Sequence, residues 1–123
     1  MDRMRETLRK HHDSIKTALA GLLWSVKTQP NFRIHLVLSL LVLAAGWYLR
    51  ISYVEFVILV FAIVLGLSAE MINTAFESVV DLITTEWREQ AKIAKDVSAG
   101  MMLVVATGAI IVALLILGPY LLG

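Results

Sequence analysis

Three apolar blocks divide the chain, from about Phe32 to Leu49, from Val54 to Ile83 and from Val97 to Leu122. Each approaches or exceeds the roughly 20 residues that a helix needs to cross a bilayer. The first two are separated by Arg50 and a short hairpin, Ile51-Ser52-Tyr53. The second and third are separated by the polar segment 84–96, which has no run of turn-forming residues and is expected to be partly helical. Upstream, Ile15, Ala18, Leu19, Leu22, Leu23 and Val26 recur at helical spacing while Lys16 and Lys27 fall on other faces. That pattern predicts an amphipathic helix over about 14–29, lying on the membrane surface. Pro30 disfavours helical geometry at Gln29 and gives the chain a corner at which to turn into the first span. The elements add up to an all-α membrane protein, a single domain over 1–123 with three transmembrane helices (32–49, 54–83 and 97–122) and an N-terminal surface helix. The third block carries Ser98, Ala99, Gly100, Ala106, Gly108, Ala109 and Ala113, small residues that let helix backbones approach closely. Three spans alone bury little polar surface, so self-association is expected.

Composition supports this reading: 59% of the 123 residues are hydrophobic and 17% charged, too apolar a balance for a soluble domain of this size. The first 13 residues are polar and precede no short apolar core with a cleavage site, so a removable signal peptide is not expected. Of the 11 lysines and arginines, Arg3, Arg5, Arg9, Lys10, Lys16, Lys27 and Arg33 precede or open the first block, Arg50 follows it, and Arg88, Lys92 and Lys95 lie in the second connection. The positive-inside bias then assigns the N-terminus and segment 84–96 to the cytoplasmic side of the membrane. Trp47, Tyr48 and Arg50 suit the opposite interface. The net charge of +1 and the lack of a basic patch interleaved with aromatics argue against nucleic-acid binding. The absence of cysteine excludes thiol chemistry and disulfides.

The chemistry is concentrated in the second block, where Glu70, Asn73, Thr74, Glu77 and Asp81 interrupt an apolar run. At roughly 100° per residue, with Glu70 as zero, they fall near −60° (Asn73), +40° (Thr74), −20° (Glu77) and +20° (Asp81), all on one face. Glu70 and Asp81 are then about 16 Å apart along the helix. Counting about 20 residues inward from Val54 leaves Glu70 one to two turns inside hydrocarbon and Glu77 and Asp81 at the interface. Stacked acids are costly in hydrocarbon, and ionisable groups there usually mark function. Carboxylates four residues apart suit Mg²⁺, which prefers hard oxygen ligands; a buried carboxylate suits general-base chemistry; an interhelical hydrogen-bond seam is the structural alternative. Lys92, Lys95 and Asp96 stand at the same membrane level, where they serve either as charges at a helix mouth or as contacts for a polyphosphate. No Gly-x-x-x-x-Gly-Lys phosphate loop is present, so any nucleotide site is built from helices. His35 reads as a packing residue, His11 and His12 as solvated. A proton-coupled multidrug transporter would account for Glu70 but not for the remaining polar groups, and an accessory subunit docking a partner would not need Glu70 as an acid.

Taken together, Glu70-x-x-Asn73-Thr74-Ala75-x-Glu77-x-x-x-Asp81 and the later Ala94-Lys95-Asp96 resemble the small trimeric bacterial lipid kinases, diacylglycerol kinase and undecaprenol kinase. The resemblance runs from about Ser14 to the C-terminus, and Asn31-Phe32-Arg33-Ile34-His35 looks more like the undecaprenol kinase branch. It implies a homotrimer in the bacterial cytoplasmic (inner) membrane, with composite sites between subunits, that uses Mg²⁺ and ATP to phosphorylate the hydroxyl of a membrane lipid at the cytoplasmic face. The favoured acceptor is undecaprenol, with diacylglycerol as the alternative. It further implies Glu70 as general base, Glu77 as metal ligand, Asn73, Lys95 and Asp96 as nucleotide contacts, and Asp81 beside the lipid headgroup. Gln29 stands where the family usually has a second metal-binding glutamate, and Lys10 about where it has a basic residue toward the nucleotide. A neutral carboxamide at 29 binds Mg²⁺ more weakly than a glutamate would.

Overall fold

A computed structural model describes all 123 residues. They form four helices and no strand: α1 (Asp2–Thr28), α2 (Pro30–Tyr48), α3 (Tyr53–Ile83) and α4 (Glu89–Leu122). Helices α2, α3 and α4 are each long and apolar enough to cross a membrane.

Helix α1 begins at Asp2, well upstream of the amphipathic stretch that starts near Ser14. The polar half lacks Gly and Pro and is rich in good helix formers, and local bonds carry the helix through it. Glu6 and Lys10 pair across one turn at 2.8 Å, the spacing at which opposite charges support a helix. Hydrophobic periodicity marks only the half of a helix that has an apolar face, so it reports α1 as shorter than it is. The helix ends at Gln29, whose backbone is extended (φ −108°, ψ 101°). Pro30 then occupies the first position of α2, where a missing N–H costs nothing because that donor would have no intrahelical acceptor. Ser25 and Phe32 are buried on either side of this corner.

The α2–α3 hairpin is closed by backbone geometry. Arg50 adopts the left-handed region (φ 55°). The N–H of Ile51 bonds the carbonyl of Gly46, and that of Arg50 the carbonyl of Trp47, both at 3.2 Å, which is the Schellman arrangement at a helix C-terminus. A Cβ on Gly46 would lie 2.9 Å from Ile51 Cδ1, so the glycine makes room for the residue that folds back onto the helix. Ser52 and Glu55 then form a reciprocal capping box that starts α3. Tyr120 Oη donates to Glu55 Oε1 at 2.6 Å, tying the end of α4 to the start of α3. Just inside this tie lies the core, Leu59, Ile116 and Leu117, with Val42, Ala45, Leu49 and Ile51 packed against it.

Helix α4 starts at Glu89, eight residues before the apolar run at Val97. Two turns of polar helix therefore precede it, and Lys95 and Asp96 stand on a helix rather than in a loop. Lys92 and Asp96 pair across one turn on this segment. Helices α3 and α4 make the most extensive packing pair of the fold.

Candidate functional site

Helix α3 is unbroken from Tyr53 to Ile83, so Glu70, Asn73, Glu77 and Asp81 share one face, as their spacing requires. Exposure rises along that face. Glu70 is 4% exposed, Asn73 is half-buried, and Glu77 and Asp81 are exposed. The Glu70 carboxylate has no hydrogen-bond partner in the chain, yet its oxygens are not sealed from the surroundings. An acid held in this way has a buried stem and an unpaired carboxylate edge.

Helix α4 meets the stripe at two levels. Ser98 Oγ donates to Asn73 Oδ1 at 2.7 Å, and Lys95 Nζ donates to Asp81 Oδ1 at 2.6 Å. Ser98 is three residues from Lys95, the spacing that places two side chains on one helix face. Two cross-helix bonds thus fix the register of α4 against α3 on either side of Glu77. Glu77 itself has neither a hydrogen bond nor an ion pair. Lys95 lies two residues before the apolar run, outside the spanning segment, and its pKa is raised above the usual lysine value. The hydrogen bond to Asp81 is the main cause; partial desolvation opposes it, and the negative charges of Asp81 and Glu77 add to it. Lys95 is therefore a fixed cation at any physiological pH.

The α3–α4 turn encloses a polar cleft of about 340 Å³ lined by Asp81, Thr84, Thr85, Glu86, Trp87, Arg88, Lys92, Lys95 and Asp96. Its three basic side chains, Arg88, Lys92 and Lys95, are paired with Glu86, Asp96 and Asp81 respectively, so an anionic group would bind there by exchanging with these carboxylates, and Trp87 offers an aromatic surface. Toward the bundle interior, below Glu70, an apolar cavity of about 120 Å³ lies between α2, α3 and α4, with His35, Gly66, Leu67, Ala106 and Ala109 in its wall. The stripe therefore runs from an apolar space to a polar one.

Other residues singled out in the sequence stand apart. Gln29 donates to Thr28 Oγ1 and Lys10 pairs with Glu6; neither bonds to any residue of the stripe. No three histidines or carboxylates of one chain converge as a metal site. Sequence reasoning took Ser98 as one of several small packing residues and missed it as the partner of Asn73. Its place one helical turn after Lys95 was the available signal. It also missed Glu55 and Tyr120, whose pairing joins positions 65 residues apart and leaves no local trace.

Comparison with known proteins agrees with these features. Residues 16–117 match the family described as prokaryotic diacylglycerol kinase. A diacylglycerol kinase of Synechocystis is 40% identical over 110 residues, covering 89% of this chain and 63% of that protein; the chain thus spans somewhat under two thirds of that relative's length. The undecaprenol kinase of Bacillus subtilis is 36% identical over 116 residues, 94% of each chain. A diacylglycerol kinase of Haemophilus influenzae is 31% identical over 84 residues, 68% of this chain and 71% of that one. The chain belongs to the prokaryotic diacylglycerol kinase family, a family of lipid kinases that are phosphotransferases with an alcohol group as acceptor.

Proposed function

We propose that the protein transfers the terminal phosphoryl group of ATP to the hydroxyl of a membrane lipid, with undecaprenol as the preferred acceptor and diacylglycerol as the alternative. The observation that carries the reading is the gradient along α3, from a buried, unpaired Glu70 one turn beyond the Gly66 and Leu67 wall of an apolar cavity to exposed Glu77 and Asp81 at the end of the helix that borders a polar, charged cleft. A lipid alcohol reaches such a stripe from the apolar end and a nucleotide from the polar end. Glu70 accepts the proton of the attacking hydroxyl, a general-base role that fits an acid with no other partner. Asn73, Lys95 and Asp96 contact the nucleotide. Asp81 orients Lys95 and stands beside the lipid headgroup.

Magnesium usually needs only one or two protein carboxylates, since it retains waters and substrate phosphates. The residues fit this on one count: Glu77 is an exposed carboxylate with no competing partner. Glu77 would hold the ion, and Gln29 would be a weak second ligand. When bound, the ion neutralises charge on the transferring phosphoryl group. Phosphoryl transfer asks for positioning and charge neutralisation more than covalent chemistry, and a few helix-borne groups supply both.

Support for undecaprenol comes from the Bacillus undecaprenol kinase, which matches along 94% of both chains, and from the Asn31–His35 segment. The excess of lysine and arginine at the N-terminus and in the second connection supports a cytoplasmic site. Residues Lys10 and Gln29, whose side chains bond only to their neighbours on α1 within one chain, support a homotrimer in which α1 of one copy completes the site of another. Phosphate transfer from labelled ATP by protein reconstituted in lipid, with undecaprenol and diacylglycerol offered separately, tests the proposal. Transfer to undecaprenol is expected; transfer to diacylglycerol alone would reassign the acceptor, and transfer to neither would overturn the kinase reading.

A further inference from the structure

We infer that Ser98 is a positioning residue which orients the Asn73 carboxamide, so that its N–H donors rather than its oxygen face the space between Glu70 and Glu77. This rests on the kinase reading and adds to it a direction for Asn73. A carboxamide has one acceptor end and one donor end on a rigid plane, and a serine hydroxyl has a single proton to give. The Ser98 proton goes to Asn73 Oδ1 at 2.7 Å, across the α3–α4 packing. Ser98 is 6% exposed, so water competes poorly for its hydroxyl. With Oδ1 turned toward α4, Nδ2 points away from Ser98, and no group of the chain accepts its hydrogens.

The position of those two free donors gives them a use. Asn73 is three residues after Glu70 and four before Glu77, one helical turn from each. An oxygen brought between two carboxylates meets negative charge on both sides unless a donor faces it. A transferring phosphoryl group places such oxygens there, with charge spread over them in the transition state. An N–H pair stabilises that charge and cannot ligate a cation. Asn73 is thereby a donor to the phosphoryl oxygens, and its own oxygen is engaged elsewhere rather than serving as a magnesium ligand. Without Ser98, nothing in the chain distinguishes the two ends of the amide, and half of its orientations turn an oxygen lone pair toward the phosphate.

The experiment compares wild type, Ser98→Ala, Ser98→Thr and Asn73→Asp, purified in lipid. It reads kcat, the KM for ATP and for the lipid, the magnesium dependence, the thermal midpoint, and the binding of β,γ-methylene ATP with magnesium. Ser98→Ala is expected to lower kcat about 10- to 100-fold, the scale of a small misplacement of a catalytic contact, with the lipid KM and thermal midpoint unchanged. Ser98→Thr, which keeps the hydroxyl, restores kcat. Asn73→Asp, which still accepts from Ser98 but replaces the donors by an anion, is expected to weaken analogue binding at least tenfold at every magnesium concentration. An active Asn73→Asp with a lower magnesium requirement would make residue 73 a metal ligand and overturn the inference. So would a Ser98→Ala protein that is less stable but turns over normally. If wild type transfers phosphate to no lipid, the kinase reading falls while analogue binding still decides the inference: a tenfold or greater loss on Asn73→Asp upholds it, equal binding overturns it. Absence of analogue binding by wild type overturns both.

Discussion

Glu70 and Glu77 carry the same functional group about two turns apart, and only their surroundings separate the roles proposed for them. Glu70 is buried with a free carboxylate edge, Glu77 exposed. Glu70→Gln keeps the shape and removes the proton acceptor. Turnover is expected to fall by about 10²- to 10⁴-fold, the usual worth of a general base, while binding of ATP with magnesium is retained. Single-turnover phosphate transfer alongside equilibrium nucleotide binding checks this, and turnover at the wild-type rate would remove Glu70 from the chemistry. Glu77→Gln trades an anionic oxygen for a neutral one, so its main effect is expected on the magnesium concentration needed for half-maximal rate, which rises. An unchanged magnesium curve would assign the ion to other groups. This much was legible in the sequence because an apolar helix makes each polar residue conspicuous and the 3.6-residue repeat gathers 70, 73, 77 and 81 on one face. The Ser98 contact was only faintly legible, through its place one turn after Lys95, because a serine among alanines and glycines has the same outward signature whether it packs or donates.

At the level of elements, the spans announced themselves by hydrophobicity, and the ends of the helices did not. Helices α1 and α4 extend beyond their apolar stretches through polar turns held by pairs such as Glu6–Lys10 and Lys92–Asp96, and hydropathy does not register turns of that kind. The α2–α3 hairpin looked merely short, yet its geometry depends on two residues. Arg50 occupies a left-handed position that costs a non-glycine residue about 1–2 kcal/mol. Arg50→Gly is therefore expected to stabilise the hairpin by roughly 0.5–1 kcal/mol, part of the gain being offset by the greater freedom of glycine in the unfolded chain. Gly46→Val is expected to cost about 1–3 kcal/mol, because its side chain must displace Ile51 Cδ1 and Leu59 Cδ1, 2.9 and 3.5 Å from the Cβ position. Thermal unfolding in one detergent checks both, and opposite signs are the expected result. At the other end of the bundle, Tyr120→Phe removes the α4 tie to Glu55 but not the capping box. It is expected to lower the thermal midpoint slightly without altering the nucleotide contacts proposed at Lys95 and Asp96, about seven turns away along α4.

For the whole molecule, a single chain leaves most of its surface uncovered. Only 12 of 123 residues are buried, the apolar faces of all three spans are open, and Lys10 and Gln29 of α1 make no bond to the stripe on α3. Lipid covers apolar faces but supplies no basic or amide group beside Glu77. A second copy does, if α1 of one subunit lies against α3 of the next in a closed ring, the usual form of a symmetric oligomer with head-to-tail contacts. Such composite sites have a quantitative consequence. Suppose Glu70→Gln and the double variant Lys10→Ala, Gln29→Ala are each inactive alone and are mixed in equal amounts after dissociation and reassembly. Each site then draws its α3 and its α1 from independently chosen chains, so about a quarter of sites receive both wild-type parts, whereas sites built within one chain receive none. Recovery of roughly 25% of wild-type phosphate transfer is the expected outcome, with sedimentation of the mixture confirming a trimer. No recovery from two inactive proteins would confine each site to a single chain. Full activity of the double variant alone would show that α1 contributes neither a nucleotide contact nor a metal ligand, and would leave the stripe on α3 and the first turns of α4 to perform the transfer unaided.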